Sequence, residues 1–358
     1  MSAEQQSFIP CCGKIVQVLR DGYWDRTEVI QLKDGTQRVR KVSKGAETAG
    51  PWGVSTLRSE IQYLRSLDEN AAKYFPTLLT AWDDGPSVGY EAEYVQDAVT
   101  ASDLAQSASL DQVQADIFQE RLAHVVYEVL HIPVALQRQS LSEHILHVID
   151  AVLTQLSQQR EFAPLIEAST LIINDKQLAG PRTAMTRLAQ HKTAVQSVNG
   201  NPQVKLHGDC FLENILISPP STDPDWPRQV ILVDPVSVAG MFQGHPLFDL
   251  VKYESYATGE LLALRSEKIQ VDGFGVPSQC RYVYRVCEEE ATIKPFHQID
   301  WYSRFRTSYI SRYGEIDMSA YSLLDAYFAL VMSACTDGLQ RRGRLLKGTL
   351  ALNAAMNA

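Results

Sequence analysis

Close to residue 97 the hydrophobic pattern of this chain changes from strand-like alternation to helical spacing. Before that point, short alternating or β-branched segments at Ile15 to Leu19, Thr27 to Leu32 and Gln37 to Val42 are separated by turn signals at Asp21-Gly22 and Asp34-Gly35. Alternation puts every second side chain on one face, so these segments predict an antiparallel meander. One helical stripe follows, Val54, Leu57, Ile61 and Leu64, with Gly50-Pro51 as its start signal. Thr77 to Trp82 and Gly89 to Val95 then read as two further strands around the turn Asp84-Gly85-Pro86.

After Asp97 the spacing is helical. Ser109 with Gln112 and Ser140 with Glu143 read as capping boxes. Three apolar stripes follow: Leu122, Val125, Val126, Val129 and Leu130; Ile145, Val148, Ile149, Val152 and Leu156; and Leu324, Tyr327, Phe328, Val331 and Cys335. The expectation is an α+β chain with a small β-rich N-lobe, residues 1–97, and a large, mainly helical C-lobe, residues 98–358. With 358 residues, 45% of them hydrophobic, both parts can bury a core.

Charge and cysteine content narrow the function classes. A net charge of −9 argues against a duplex nucleic-acid binder, which needs basic surface to displace counterions from phosphates. Met1 to Lys14 lack the basic start and apolar stretch of a secretory signal, and no apolar run approaches a membrane span, so the expected location is cytoplasmic, with no membrane partner. Cys11, Cys12, Cys210, Cys280, Cys287 and Cys335 are too sparse for a disulfide framework and are expected to be reduced thiols. Cys280, Cys287 and His297 lie near the acidic run Glu288 to Glu290, but their spacing matches no usual zinc pattern.

The most informative stretch is Val204-Lys205-Leu206-His207-Gly208-Asp209-Cys210-Phe211-Leu212-Glu213-Asn214-Ile215-Leu216-Ile217. An apolar strand enters a polar loop carrying Asp209 and Asn214, and a second apolar strand leaves it, which predicts a hairpin-like scaffold projecting both groups from one end. The next strand, Val230 to Val233, ends at Asp234. Three oxygen-bearing side chains at adjacent strand ends suit a hard cation such as Mg²⁺ with its phosphates and waters. The residues between them, Ser218 to Arg228, read as an exposed hairpin tip without chemistry. A tight turn at His207-Gly208-Asp209 would carry the same letters.

His-Gly-Asp, an Asn five residues after the Asp, and a strand ending in Asp resemble the catalytic loop and metal-binding Asp of the aminoglycoside phosphotransferase and choline kinase family, small-molecule kinases of the protein-kinase-like fold. The resemblance implies a bilobal molecule using ATP and Mg²⁺, in which residues 1–97 bind nucleotide and residues 98–358 hold the catalytic and acceptor sites. It implies that Asp209 orients and deprotonates an acceptor hydroxyl, and that Asn214 and Asp234 hold the metal. His207 would brace the loop, and so would Asp249, which also reads as an ordinary acid at a helix start. Asp234-Pro235 stands where protein kinases have Asp-Phe-Gly, favouring the small-molecule branch. Gly22 is the one glycine of the loop from Asp21 to Asp25, so the resemblance is weak where that loop would touch phosphates.

In Arg38-Val39-Arg40-Lys41-Val42, alternation puts Val39 and Lys41 on one face, and the resemblance implies that they are an adenine contact and a phosphate-binding lysine. Glu60 falls on the buried stripe with Leu57 and Leu64, and a buried carboxylate needs a partner. Lys41 is the candidate, with Arg40 and Lys44 as alternatives. Glu93 and Val95 occupy the hinge position, where backbone would meet the adenine edge, although any extended linker would look alike. The acceptor is expected to be a hydroxylated small molecule, aminoglycoside-, choline- or sugar-like, met by Ser237, His245, Glu254 and Glu288. The alternative function is a nucleotide-binding pseudokinase with a regulatory or scaffolding role.

Overall fold

The alternating segments form five strands in the computed structural model of the protein, which describes residues 13–44, 46–85, 87–134, 140–190, 192–200, 202–223, 225–236, 240–275 and 280–357. They are β1 (Lys14–Asp21), β2 (Asp25–Gln31), β3 (Gln37–Ser43), β4 (Leu78–Asp83) and β5 (Val88–Glu93). The sheet is antiparallel throughout, in the order β1-β2-β3-β5-β4. The first three strands form the expected meander, and β5 is inserted between β3 and β4.

Helix α1 (Ala46–Arg65) joins β3 to β4. It begins before Gly50-Pro51, which therefore lie inside the helix and not at its start. The opening residues, Ala-Glu-Thr-Ala-Gly, carry no apolar stripe, so periodicity could not register them. Leu57 and Ile61 pack on Val88, Tyr90 and Ala92 of β5, with Val54, Leu64, Leu78 and Ala81 at the margin. Burying an aliphatic side chain of this size contributes about 2 kcal/mol, enough to fix which face of α1 meets the sheet.

By compactness the chain divides into two units. The first runs through Ala101 and also takes His207–Asp209 and Glu213–Phe242; the second takes Ser102–Leu206, Cys210–Leu212 and Gln243–Ala358. In the first unit, Ile215–Ile217 pairs with Val230–Leu232 and with Val99–Thr100. Val204–Lys205 pairs instead with Gln243–Gly244, so the strands flanking the His-Gly-Asp loop belong to different sheets and the hairpin reading is corrected. A two-residue strand has too little pattern to name its partner. The excursion Ser218 to Arg228 is anchored as well as exposed: Trp226 is buried, and its indole N–H donates to the carbonyls of Ser218 and Pro219.

The second unit is mainly helical. The box expected at Ser109 is found two residues later, where Asp111 accepts from Gln114 N–H and the Gln114 side chain returns to Asp111 N–H. Asp111-x-x-Gln114 has the same pattern, and the Ser109 hydroxyl is bonded to Ser107. The Ser140–Glu143 box forms as expected. Past Ala123 the helix widens to a π-helix over His124–Leu130, with Val125, Val126 and Leu130 buried.

One correction concerns apolar length. Met318–Cys335 is an 18-residue helix with mean hydropathy 1.3, enough by length and composition to cross a membrane, although 61% of it is buried within the protein. It packs along Gly338–Asn357, where a Cβ on Gly348 would lie 2.4 Å from Leu330, so a glycine permits the close approach. A four-stranded sheet of short strands was not legible: Ile269–Asp272, Arg281–Val286, Leu171–Ile173 and Lys176–Leu178, in that order. Cys210, Cys280, Cys287 and Cys335 form no disulfide, and no metal-binding cluster of His, Cys, Asp or Glu occurs among the described residues. Cys11 and Cys12 lie outside them.

Candidate active site

Strand register assembles the first half of the site. Arg20 of β1 lies opposite Thr27 of β2, Thr27 opposite Lys41 of β3, and Lys41 opposite Tyr90 of β5. These four residues form one cross-strand row. A second row beside it, Val29, Val39 and Ala92, is apolar. Lys41 Nζ donates to both carboxylate oxygens of Glu60, at 3.0 and 2.8 Å, and to Asp234 Oδ1 at 3.0 Å. Tyr90 donates its hydroxyl to Glu60 at 2.7 Å, and Asp25 lies 3.7 Å from Lys41. The alternative cations go elsewhere. Arg40 binds Glu91, and Lys44 pairs with Asp21 and donates to the Gly22 carbonyl.

Burial and charge compete at each group here. Burial works against the Lys41 ammonium, but the Asp234, Asp25 and Glu60 carboxylates overcome it and hold its pKa well above the usual lysine range. Burial pushes Glu60 up to about 7 against the pull of Lys41, with Asp234 and Asp25 reinforcing the rise. Burial would also raise Asp234, yet the charges of Lys41 and Arg20 prevail and hold it at about 2. Asp234 is therefore ionised at neutral pH. Arg20 Nη1 donates to its second oxygen at 2.9 Å.

The loop from His207 supplies the second half. Gly208 sits at φ +83°, a conformation that only glycine adopts freely, and turns the chain so that Asp209 N–H donates to the His207 ring at 3.3 Å. The His207 ring is fully buried and stacks on Phe75, with centroids 6.0 Å apart. Asn214, also buried, donates from Nδ2 to the Asp209 carbonyl at 3.0 Å and to Asp209 Oδ2 at 3.1 Å. Its own carbonyl accepts from Val233 N–H at 2.9 Å, so Asn214 is tied to the residue preceding Asp234. Asp234 and Val236 take φ +52° and +82°, and the Val236 N–H donates to the His207 carbonyl at 2.6 Å. Positive φ at such residues costs on the order of 1–3 kcal/mol each. That strain is held in the turn that orients Asp234.

Lys41, Glu60, Asp209, Asn214 and Asp234 all belong to the first unit. With its nitrogen committed to Asp209, Asn214 can offer a cation only Oδ1. One carboxylate and one amide oxygen fit Mg²⁺, which takes few protein ligands and completes its shell with phosphates and water. Two members of the site were missed in the sequence. Asp25 Oδ1 is buried without a hydrogen-bond partner, beside Lys41. Arg20 is the penultimate residue of β1, and two register shifts, between Ile15 and Gln17 and between Val18 and Arg20, bring it and not Leu19 opposite Thr27. Shifts of that kind leave no signal in hydrophobic alternation.

The remaining candidates are placed as follows. Glu93 ends β5, its N–H bonded to the Thr77 carbonyl and its carboxylate to the Thr77 hydroxyl. Val95 lies half-buried just beyond. Asp249 opens the helix Leu247–Ala257 and is bonded to His131 at 3.0 Å, while His131 meets the Tyr313 hydroxyl at 3.0 Å. Glu254, buried, receives two bonds from Arg306 and one from Tyr321. Glu288 is exposed, and Ser237 lies outside the described residues.

His245 accepts from Leu247 N–H on Nδ1 at 3.2 Å. Burial, then repulsion by His131, lowers its pKa to about 4 against the pull of Asp317. The unfolded chain takes up this proton below about 6.5 and the folded chain only below about 4. Stability held above pH 6.5 is therefore lost as pH falls toward 4. His245→Asn retains an acceptor without the titration, and should remove about 1–3 kcal/mol of that loss in urea unfolding at pH 7 and pH 4.5. An unchanged acid loss would show that His245 is not held neutral.

An antiparallel sheet with a paired lysine and glutamate, a His-Gly-Asp loop answered by Asn, and an Asp at a strand end, in a chain whose C-terminal part is helical, define the protein-kinase-like fold. A solved structure with that fold, a protein assigned as a fructosamine-3-kinase from Haemophilus somnus 129PT, superposes over 92% of this chain and 89% of its own, with TM-score 0.51 and 11% identity. A type I macrolide 2'-phosphotransferase covers 95% of this chain and 92% of its own, at TM-score 0.46 and 14% identity. Choline kinase from Cryptosporidium parvum Iowa II covers 96% and 87%, at TM-score 0.43 and 11% identity. No family profile and no curated protein sequence matches the chain.

Proposed function

We propose that this protein is a phosphotransferase that moves the γ-phosphate of ATP, with Mg²⁺, to a hydroxyl of a small molecule. The observation that carries this reading is the Lys41–Glu60–Asp234 cluster in the same unit as the bonded pair Asp209–Asn214. Lys41, oriented by Glu60, binds the phosphates, while Asn214 and Asp234 hold the metal. When bound, magnesium supplies charge neutralisation on the phosphates. The Asp209 carboxylate accepts the proton as the acceptor oxygen bonds to phosphorus and ADP departs. Asn214 fixes the orientation of that carboxylate through its Nδ2 bonds.

Val39 and the backbone at Glu93 and Val95 are assigned to the adenine, and His207 and Asp249 to support of the catalytic loop. We propose residues 1–97 as the nucleotide-binding lobe and 98–358 as the catalytic and acceptor lobe, in a cytoplasmic enzyme without nucleic-acid or membrane partners. Ser237, in the segment after Asp234, is proposed as a candidate for the acceptor. His245, Glu254 and Glu288 are its further candidates. The superposed structure of a protein assigned as a fructosamine-3-kinase supports a hydroxylated small-molecule acceptor.

A pooled screen of hydroxylated metabolites and antibiotics, read as ADP formed, tests the reading. Acceptor-dependent ADP formation that requires Mg²⁺ is the expected result. A second reading, a nucleotide-binding pseudokinase, is favoured by the single glycine of the β1–β2 loop and by the arginine on Asp234. Thermal stabilisation by ATP with no consumption across the panel would select it.

A further inference from the structure

The nucleotide-site reading puts phosphates beside the β1–β2 turn, which runs Asp21-Gly22-Tyr23-Trp24-Asp25, with one glycine and two acids. It is tied down by Lys44, whose N–H donates to the Trp24 carbonyl and whose ammonium takes Asp21 and the Gly22 carbonyl. We propose that Arg20 supplies the phosphate contact that the turn lacks: it neutralises Asp234 until a divalent cation takes that carboxylate, and its guanidinium then passes to the nucleotide's phosphates. This rests on the nucleotide-site reading above and adds a residue that the reading does not contain.

Four observations carry it. The register shifts before Arg20 re-aim β1 so that a guanidinium, and not Leu19, joins the Thr27–Lys41 row. Arg20 and Lys41 divide Asp234 between them, one on each oxygen, so a cation that binds this carboxylate competes first with Arg20, the more exposed of the two at 38% against 4%. Arg20 is therefore the cation placed to make the exchange. Lys41 cannot make it, since it is buried and also bound by Glu60. Finally, Trp24 Nε1, Asp25 Oδ1 and Thr27 Oγ1 are buried polar atoms without hydrogen-bond partners, all within four residues of β2 and its turn. Buried polar groups are normally paired, so the unpaired atoms of Thr27, opposite Arg20, and of Asp25, within its field, mark bonding capacity reserved for a ligand.

Charge balance agrees with the exchange. Asp25, Glu60 and Asp234 face Lys41 and Arg20, and Asp209 and Glu213 also lie within the field of Arg20. A triphosphate entering this acidic setting needs its cations close. The planar fork of arginine matches phosphate oxygens two at a time, which a lysine at the same place would not.

The test compares wild type with Arg20→Gln and Arg20→Lys in the full chain. Three probes are titrated calorimetrically: a non-hydrolysable ATP analogue with Mg²⁺, adenosine, and Mn²⁺ alone, the last also followed by the paramagnetic signal of free metal. In Arg20→Gln the triphosphate analogue should bind roughly 10-fold or more weaker, the loss of one charge-assisted contact. Adenosine should bind as in wild type, Mn²⁺ should bind tighter, and Arg20→Lys should be intermediate for the triphosphate. Equal triphosphate affinity in wild type and Arg20→Gln overturns the role of Arg20 while leaving the nucleotide site standing. Equal losses for adenosine and triphosphate also overturn it, because Arg20 would then be shaping β1. Unchanged Mn²⁺ affinity overturns the exchange. A wild type that binds no triphosphate overturns the nucleotide reading and this proposal together.

Discussion

An Asp209→Ala variant is expected to lose roughly 10²- to 10⁴-fold in turnover, the usual worth of a positioned general base. Nucleotide affinity should hardly change, because the lysine cluster on β3 and α1 does not depend on Asp209. The carboxylate is partly exposed, its Oδ2 is held by Asn214, and its backbone N–H is bonded to the His207 ring. One oxygen is thus fixed in orientation by Asn214. Asp209→Asn preserves the shape and should fail equally, since an amide cannot take the proton. Steady-state kcat and KM for ATP, measured on the acceptor found in the screen, decide it. Near-wild-type turnover in Asp209→Ala would remove the residue from the chemistry.

Lys41→Met should have the largest effect on the folded state. It leaves Glu60, Asp25 and Asp234 facing one another without their shared cation, and breaking a buried pair in this way costs about 3–5 kcal/mol. The loss should depend on pH. Glu60 is pushed to about 7 by burial even with Lys41 beside it, and removing the ammonium pushes it higher. A carboxyl raised in the folded state favours folding while protonated, and that advantage disappears as pH rises through its folded pKa. The variant should therefore be much weaker than wild type at pH 8 and closer to it at pH 5. Urea unfolding at the two pH values reads this, and equal losses at both would show that Glu60 is not the group left uncompensated. Turnover should fall as well, through loss of the ammonium proposed to bind the phosphates.

The contrast between Lys41 and Arg20 shows where reading a sequence stops. Lys41 was visible because alternation in β3 and the helical stripe of α1 each assign a face, and a buried glutamate requires a cation. Arg20 was hidden because two register shifts in β1 decide which of its residues faces Thr27, and they exist only in the pairing of β1 with β2. The same limit applies to Val204–Lys205, whose partner is Gln243–Gly244, and to the three-residue strands of the second unit.

Local chemistry was enough to read the N-terminal sheet and helical remainder, the Ser140 capping box, the spacing of Asp209 to Asn214, and the strand that delivers Asp234. Those features follow from the periodicity and turn preferences of neighbouring residues. Tertiary structure alone decided that β5 lies beside β3, that Asp234 carries a cation on each oxygen, that Glu254 is bound by Arg306, and that register shifts in β1 admit Arg20 to the row of Lys41. Each depends on which distant segments are brought within a few ångströms, and on the burial that then shifts charge from one group to another, quantities that no local pattern of side chains contains.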